Sequence, residues 1–188
     1  MAGTLQTGGR SIKPGLVNKQ MDIIMRNLNR AILSIENTSM AGLIAAAAYI
    51  RVETEKRPPL TPVDLGNLRA SWFVVASKKG VQDGKVAKFK NRPGREGKKA
   101  NLSGRMSRDH SIAIVAARAT AATSPMMVVM GYSAYYALFI HESEGMHFQR
   151  PGAGPKWFQA AINNNRNQIF YIVGKYAKIE GHTPKFKI

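Results

Sequence analysis

His141, Glu142, Glu144 and His147 are the densest set of metal-capable side chains in the chain. Zinc-dependent hydrolysis of the helical kind needs two histidines four apart on one face with a carboxylate between them. Here the histidines are six apart and Gly145 intervenes, so a helix would aim them in different directions. The segment reads as a helix end entering a polar turn. Lys98 follows Gly97, but the glycine that a phosphate-cradling loop needs five residues earlier is Arg92. No G-x-S-x-G nucleophile elbow occurs. With no cysteine, a thiol nucleophile, a disulfide and a thiolate metal site are all excluded. The carboxylates are scattered, which argues against a two-metal nuclease centre. The sequence therefore supplies no catalytic, cofactor-binding or metal-binding residue, and a non-enzymatic protein is expected.

Charge is the strongest remaining signal. The 188 residues carry a formal net charge of +17, enough to draw the chain to nucleic acid, an anionic membrane or an acidic protein face. The 33 residues from Lys78 to His110 concentrate it. Lys78, Lys79, Lys85, Lys88, Lys90, Arg92, Arg95, Lys98, Lys99, Arg105 and Arg108 face only Asp83, Glu96 and Asp109, a net +8. Such a segment can contact phosphates without reading sequence, or dock on an acidic partner. Phe89 is its only aromatic, so a base-stacking platform is not expected. A merely solvated loop is the bland alternative; concentrating +8 favours contact with a polyanion or partner.

These residues need a scaffold, and hydrophobic spacing outlines one. Residues 1–17 read as a flexible arm rich in glycine. Met21, Ile24, Leu28, Ile32 and Ile35 predict an amphipathic helix over 18–36. Asn37-Thr38-Ser39 predicts a break and a fresh helix start. A second helix then runs to about Glu55 with Met40, Leu43, Ala47 and Ile50 inward, ending before Pro58-Pro59. Trp72–Ala76, Ser111–Arg118 and Met126–Tyr132 predict strands. Tyr132, Tyr136, Phe139 and Ile140 have helical spacing. A long closing helix opens at Pro155, with Phe158, Ile162, Ile169, Ile172, Val173 and Tyr176 as its buried face and a gap at Asn165. Residues 178–188 read as a loose tail. The expectation is one α+β domain over 18–177: two N-terminal helices, a small antiparallel sheet with a long basic hairpin insertion over 78–110, a short helix and a long C-terminal helix. The longest apolar run, Ala41–Ile50, is about half a bilayer crossing, and residues 1–15 lack the apolar core of a secretory signal. A soluble protein made in a cytoplasm, without membrane contact, is expected.

Within this scaffold, Thr61-Pro62-Val63-Asp64-Leu65-Gly66-Asn67-Leu68-Arg69-Ala70-Ser71 has a structural logic of its own. Pro62 fixes an extended entry, Asp64 caps a short helix and can pair with Arg69, Gly66 relaxes the turn and Leu68 packs inward. None of these groups is reactive, so structural or interfacial roles are expected.

That segment also resembles the T-P-V-D-T-G-x-L-R-x-S signature of tailed-phage neck and tail-completion proteins, the HK97 gp10-like family. Gly131-Tyr132-Ser133-Ala134-Tyr135-Tyr136-Ala137-Leu138-Phe139-Ile140-His141-Glu142 resembles the family's V-G-x-x-x-x-Y-A-x-x-x-E segment. Gly154-Pro155-Lys156-Trp157-Phe158 resembles its closing proline and aromatic. The blocks keep the family's order over roughly residues 58–175. The resemblance implies a structural virion protein at the head–tail junction. It would form a sixfold or twelvefold ring of identical subunits around the DNA channel, beside head-completion or connector proteins and tail-terminator or tail-tube proteins. Its motif and interface positions would be Thr61, Pro62, Val63, Asp64, Gly66, Leu68, Arg69, Ser71, Tyr135, Tyr136, Ala137, Glu142, Pro155, Trp157 and Phe158. Tyr135, Tyr136, Trp157 and Phe158 suit either a subunit interface or the intrachain core. Leu65 in place of threonine, the helical leader and the basic insertion depart from the pattern. A tail terminator, a DNA-binding protein acting outside the virion and a phage nuclease are the competing readings; the last lacks its acidic ligands.

Overall fold

A computed structural model describes residues 14–77, 82–83, 87–94 and 101–177. The arm over 1–13, the tail from 178, and Lys78, Lys79, Lys85, Arg95, Lys98 and Lys99 lie outside the described residues. The elements are α1 (Pro14–Lys56), α2 (Asn67–Ala70), β1 (Trp72–Ala76), β2 (Gln82–Asp83), α3 (Leu102–Ala121), β3 (Val128–Tyr132), α4 (Ala137–Glu142), α5 (Trp157–Asn164) and α6 (Arg166–Tyr176). The α+β class is as expected. The two leading helices, however, are one: α1 runs 43 residues and passes through Asn37-Thr38-Ser39 unbroken. Such residues favour caps, yet they tolerate a helix interior when no proline or turn forces an end. The proline pair does force one, and α1 stops at Lys56.

The chain divides into two compact units, ending at Glu36 and beginning at Asn37. In the first, the expected stripe is not core: Met21, Ile24, Leu28, Ile32 and Ile35 are between 44% and 60% exposed. In the second, Met40, Ala46, Ala47 and Ile50 are buried. Gly42 lies where a Cβ would stand 3.0 Å from the Val173 backbone and from Tyr176 Cβ, so its missing side chain lets α6 approach α1 closely.

The sheet has strand order β2-β1-β3, all antiparallel, with β1 and β3 in register from Trp72–Tyr132 to Ala76–Val128. Phe73 and Val75 alternate onto the face covered by α3, against Ala113, Ile114, Ala117 and Ala121. Ser111–Arg118, expected as a strand, is therefore the second half of α3. Its β-branched residues are local exceptions in a run whose buried positions, Met106, His110, Ala117 and Ala121, keep helical spacing. Asn101 starts that helix, its Oδ1 accepting the Gly104 N–H at 3.1 Å. The basic insertion is correspondingly shorter than expected, since Leu102–His110 is helix. Its Phe89 packs into the core.

The expected closing helix is two, divided at Asn165. This buried side chain accepts the Tyr49 hydroxyl at 3.0 Å and donates to Ala161 O at 2.8 Å. On them Phe158, Ile162, Ile169, Ile172 and Val173 are half-buried, whereas Tyr176 is exposed. Trp157 is 1% exposed and centres a core with Leu68, Met106, Ala134 and Ala137, so of the two roles open to it, the intrachain core is the one it fills. Trp157→Ala should cost about 3–5 kcal/mol, read as a lower urea midpoint. An unchanged midpoint would contradict the core assignment.

Candidate functional site

The three sequence blocks meet at the Tyr132 side chain, Thr61 at its hydroxyl and Trp157 and Phe158 at its ring. Thr54 Oγ1 lies 3.3 Å from the hydroxyl, Thr61 Oγ1 3.4 Å and Arg51 Nη1 3.5 Å. Thr61 is wholly buried, its N–H donating to Thr54 O at 2.9 Å, which ties the motif to the end of α1. Beside it Glu55 collects three guanidinium groups, from Arg51 at 2.9 Å, Arg69 at 3.0 Å and Arg150 at 2.6 Å. Arg150 also donates to Thr61 O at 3.0 Å and Glu55 O at 3.2 Å. The Arg51 guanidinium sits 5.7 Å from the Trp72 ring centre and 5.9 Å from that of Tyr132. Leu60 bonds Gly152 and Gly154 through its N–H and C=O. Tyr132 meets Trp157 and Phe158 edge-on, at 6.0 and 5.9 Å.

Most motif residues are thus framework. Leu68 and Ser71 are buried, Ser71 Oγ donating to Leu68 O at 2.7 Å. Gly66 takes φ 83°, the left-handed conformation expected at the turn. Asp64 corrects its expected role: Gly66, not Asp64, precedes the first residue of α2, and Asp64 pairs with Arg92 at 2.8 Å instead of Arg69. Asn67 was missed by sequence reasoning. Its buried side chain donates to Lys90 O at 2.9 Å and accepts the Lys90 N–H at 2.7 Å, pinning the basic segment to the motif. The signal was only an asparagine in a turn, and its partner lies 23 residues away.

Glu142 bonds Lys156 Nζ at 2.8 Å and His141 Nδ1 at 2.7 Å; these contacts, Lys156 first, lower its pKa, and the Glu142 carboxylate raises that of Lys156. Lys156, with Pro155 before it, adopts φ 55°. Its N–H bond to His141 O, 2.8 Å, helps hold that left-handed conformation. His141 packs on Trp157 at 4.8 Å. Among the described residues, no group of three or more His, Asp and Glu side chains could hold a metal ion.

The serine–histidine pair found among the described residues is also structural. His110 Nδ1 lies 2.6 Å from Ser133 Oγ, which donates to Ser71 O at 3.2 Å. No carboxylate among the described residues orients the imidazole, and Nε2 is buried without a partner. The ring stands edge-on to Phe73 and Phe89.

A groove of about 650 Å³ among the described residues is open to a ligand. Pro62–Leu65, Leu102, Tyr136, Ile140 and 146–149 line it, and Arg92, Arg105 and Tyr135 stand at it. Burial pushes the Tyr136 hydroxyl up to about 12, so it stays protonated. Arg105 lies 5.6 Å from the Tyr135 ring centre. Of the expected polyanion contacts, Lys88, Lys90, Arg92, Arg105 and Arg108 are exposed. Compared with family models, curated proteins and solved structures, the chain has no match.

Two expectations follow from these contacts. Glu55→Ala strands three guanidinium groups and should cost about 3 kcal/mol; a loss near zero in urea unfolding would count against Glu55 as the tie. Burial lowers the His110 pKa below 6.5. The unfolded chain then takes up a proton that the folded chain resists, so stability present above 6.5 is lost as pH falls toward the folded value. Urea midpoints should drop from about pH 7 to about pH 5, with a shallower drop in His110→Gln. Equal slopes would exclude His110 as the cause.

Proposed function

We propose that this chain is a structural subunit of a tailed-phage head–tail junction, forming a neck or tail-completion ring around the DNA channel. The observation that carries the reading is that three blocks, distant in sequence, meet at the Tyr132 side chain and in the core around Trp157. Residues that resemble one family's signature act here as one framework, and their chemistry is packing and ion pairing. Large exposed apolar side chains support an assembling role. They include Ile23, Met25 and Leu33 on α1, Ile112 and Val115 on α3, and Leu138 and Phe139 on α4.

The net charge and the exposed Arg105 and Arg108 on α3 suit a subunit that borders DNA or an acidic neighbouring ring. They also favour the second reading, a sequence-independent DNA-binding protein acting outside the virion. That protein would bind DNA tightly as a monomer.

Residues 21–56 of α1 are long and apolar enough, by length and composition, to cross a membrane. We read them as a packing helix because Asp22, Arg26, Arg30 and Glu36 punctuate one half. Arg51, Glu53 and Glu55 punctuate the other, whose apolar residues enter the core.

Negative-stain microscopy of lysates from a phage lacking this chain tests the proposal. Heads beside separate, unjoined tails are expected. Normally joined particles would overturn the junction role.

A further inference from the structure

Two features of the described surface match each other. Leu138 and Phe139, at 73% and 66%, are its two most exposed large hydrophobic residues, adjacent in sequence on α4. The groove is the complementary shape, with Val63, Leu65, Leu102, Met146 and Phe148 as apolar lining. At 100° per residue, α4 turns Tyr136 and Ile140 to the groove and Ala137 and His141 to the core. Leu138 and Phe139 occupy the remaining arc. Ridge and groove therefore lie on different sides of one short helix, and a chain cannot fill its own groove with its own ridge.

Charge selects the occupant. Arg105, exposed at the groove, has no carboxylate partner among the described residues; Arg92 has Asp64. Past the ridge, Glu142 is hydrogen-bonded to Lys156, while exposed Glu144 makes no salt bridge among the described residues and acts on Lys156 only through its longer-range field. In a chain with 28 lysines and arginines against 11 acidic residues, a carboxylate five residues past Phe139 that makes no salt bridge among the described residues complements a basic-rimmed apolar groove. An acidic peptide from another protein would account for the groove and leave the ridge bare.

We propose that the Leu138–Phe139 ridge of one copy seats in the groove of the next, with Glu144 against Arg105. The contact is head-to-tail, so it propagates and closes into a ring or continues as a filament. It rests on the reading of this chain as an assembling subunit and names the surfaces that assemble.

Sedimentation velocity of the purified full chain at high micromolar concentration tests it. Wild type should self-associate. Leu138→Asp, at a residue 73% exposed in the single chain, should abolish association while its circular dichroism stays unchanged. Arg105→Glu and Glu144→Arg should each weaken it about tenfold. An equal mixture of those two variants should recover it, because both contacts in an alternating assembly then pair opposite charges. A wild type that stays monomeric, variants that associate like wild type, or a mixture that does not recover would each overturn the contact. If wild type assembles and the variants match it, the subunit reading stands and the interface lies elsewhere. A monomeric wild type leaves the junction role to be judged by the deletion particles.

Discussion

Glu55 holds one carboxylate against three guanidinium groups from three parts of the chain, and the arrangement of the remaining structure depends on it. Arg51 comes from its own helix, Arg69 from α2 within the motif, and Arg150 from the loop before α5. A basic chain would push such segments apart; one partly desolvated carboxylate fixes them at hydrogen-bond distance. The Tyr132 hydroxyl lies alongside, within reach of Thr54, Thr61 and Arg51. The end of α1, the motif, β3 and the entry to α5 thus share one polar knot, with Trp157 in the apolar core beyond Tyr132.

That framework engages the described side chains best suited to chemistry. His110 and Ser133 meet at the distance of a nucleophile and base, yet the serine is committed to a backbone carbonyl and the imidazole is wedged between phenylalanines. His141 packs against the core tryptophan, and Glu142 is held by Lys156. Among the described residues, the outward face includes the exposed Leu138–Phe139 pair, the groove and several exposed basic side chains.

Much of the organisation was legible in the residues. β1 coincides with its expected bounds because five consecutive apolar residues suit a strand covered on both faces. β3 begins two residues inside its expected start at Met126. α1 stops where the proline pair removes donors. Three errors share a cause. Asn37-Thr38-Ser39 carries capping side chains, Ser111–Arg118 carries β-branched ones, and Asp64 precedes a helix. In each case a local preference worth a fraction of a kcal/mol was outweighed by longer-range packing or pairing. The helical spacing of Met106, His110, Ala117 and Ala121 was present throughout, and a window wider than eight residues reveals it.

By itself the sequence determined the class of the protein: an α+β chain with a strong positive charge, no thiol chemistry, no recognisable catalytic constellation, and three blocks resembling one family. Composition and periodicity are properties of single residues and near neighbours, so they survive without coordinates. The tertiary structure alone decided which partner each side chain takes. Glu55 gathers arginines 4, 14 and 95 positions away, Asn67 grips Lys90, and α4 divides its faces among core, groove and solvent. Apart from Arg51–Glu55, an i,i+4 pair that helical spacing already allows, those pairings bring together groups that only the folded path of the chain makes adjacent.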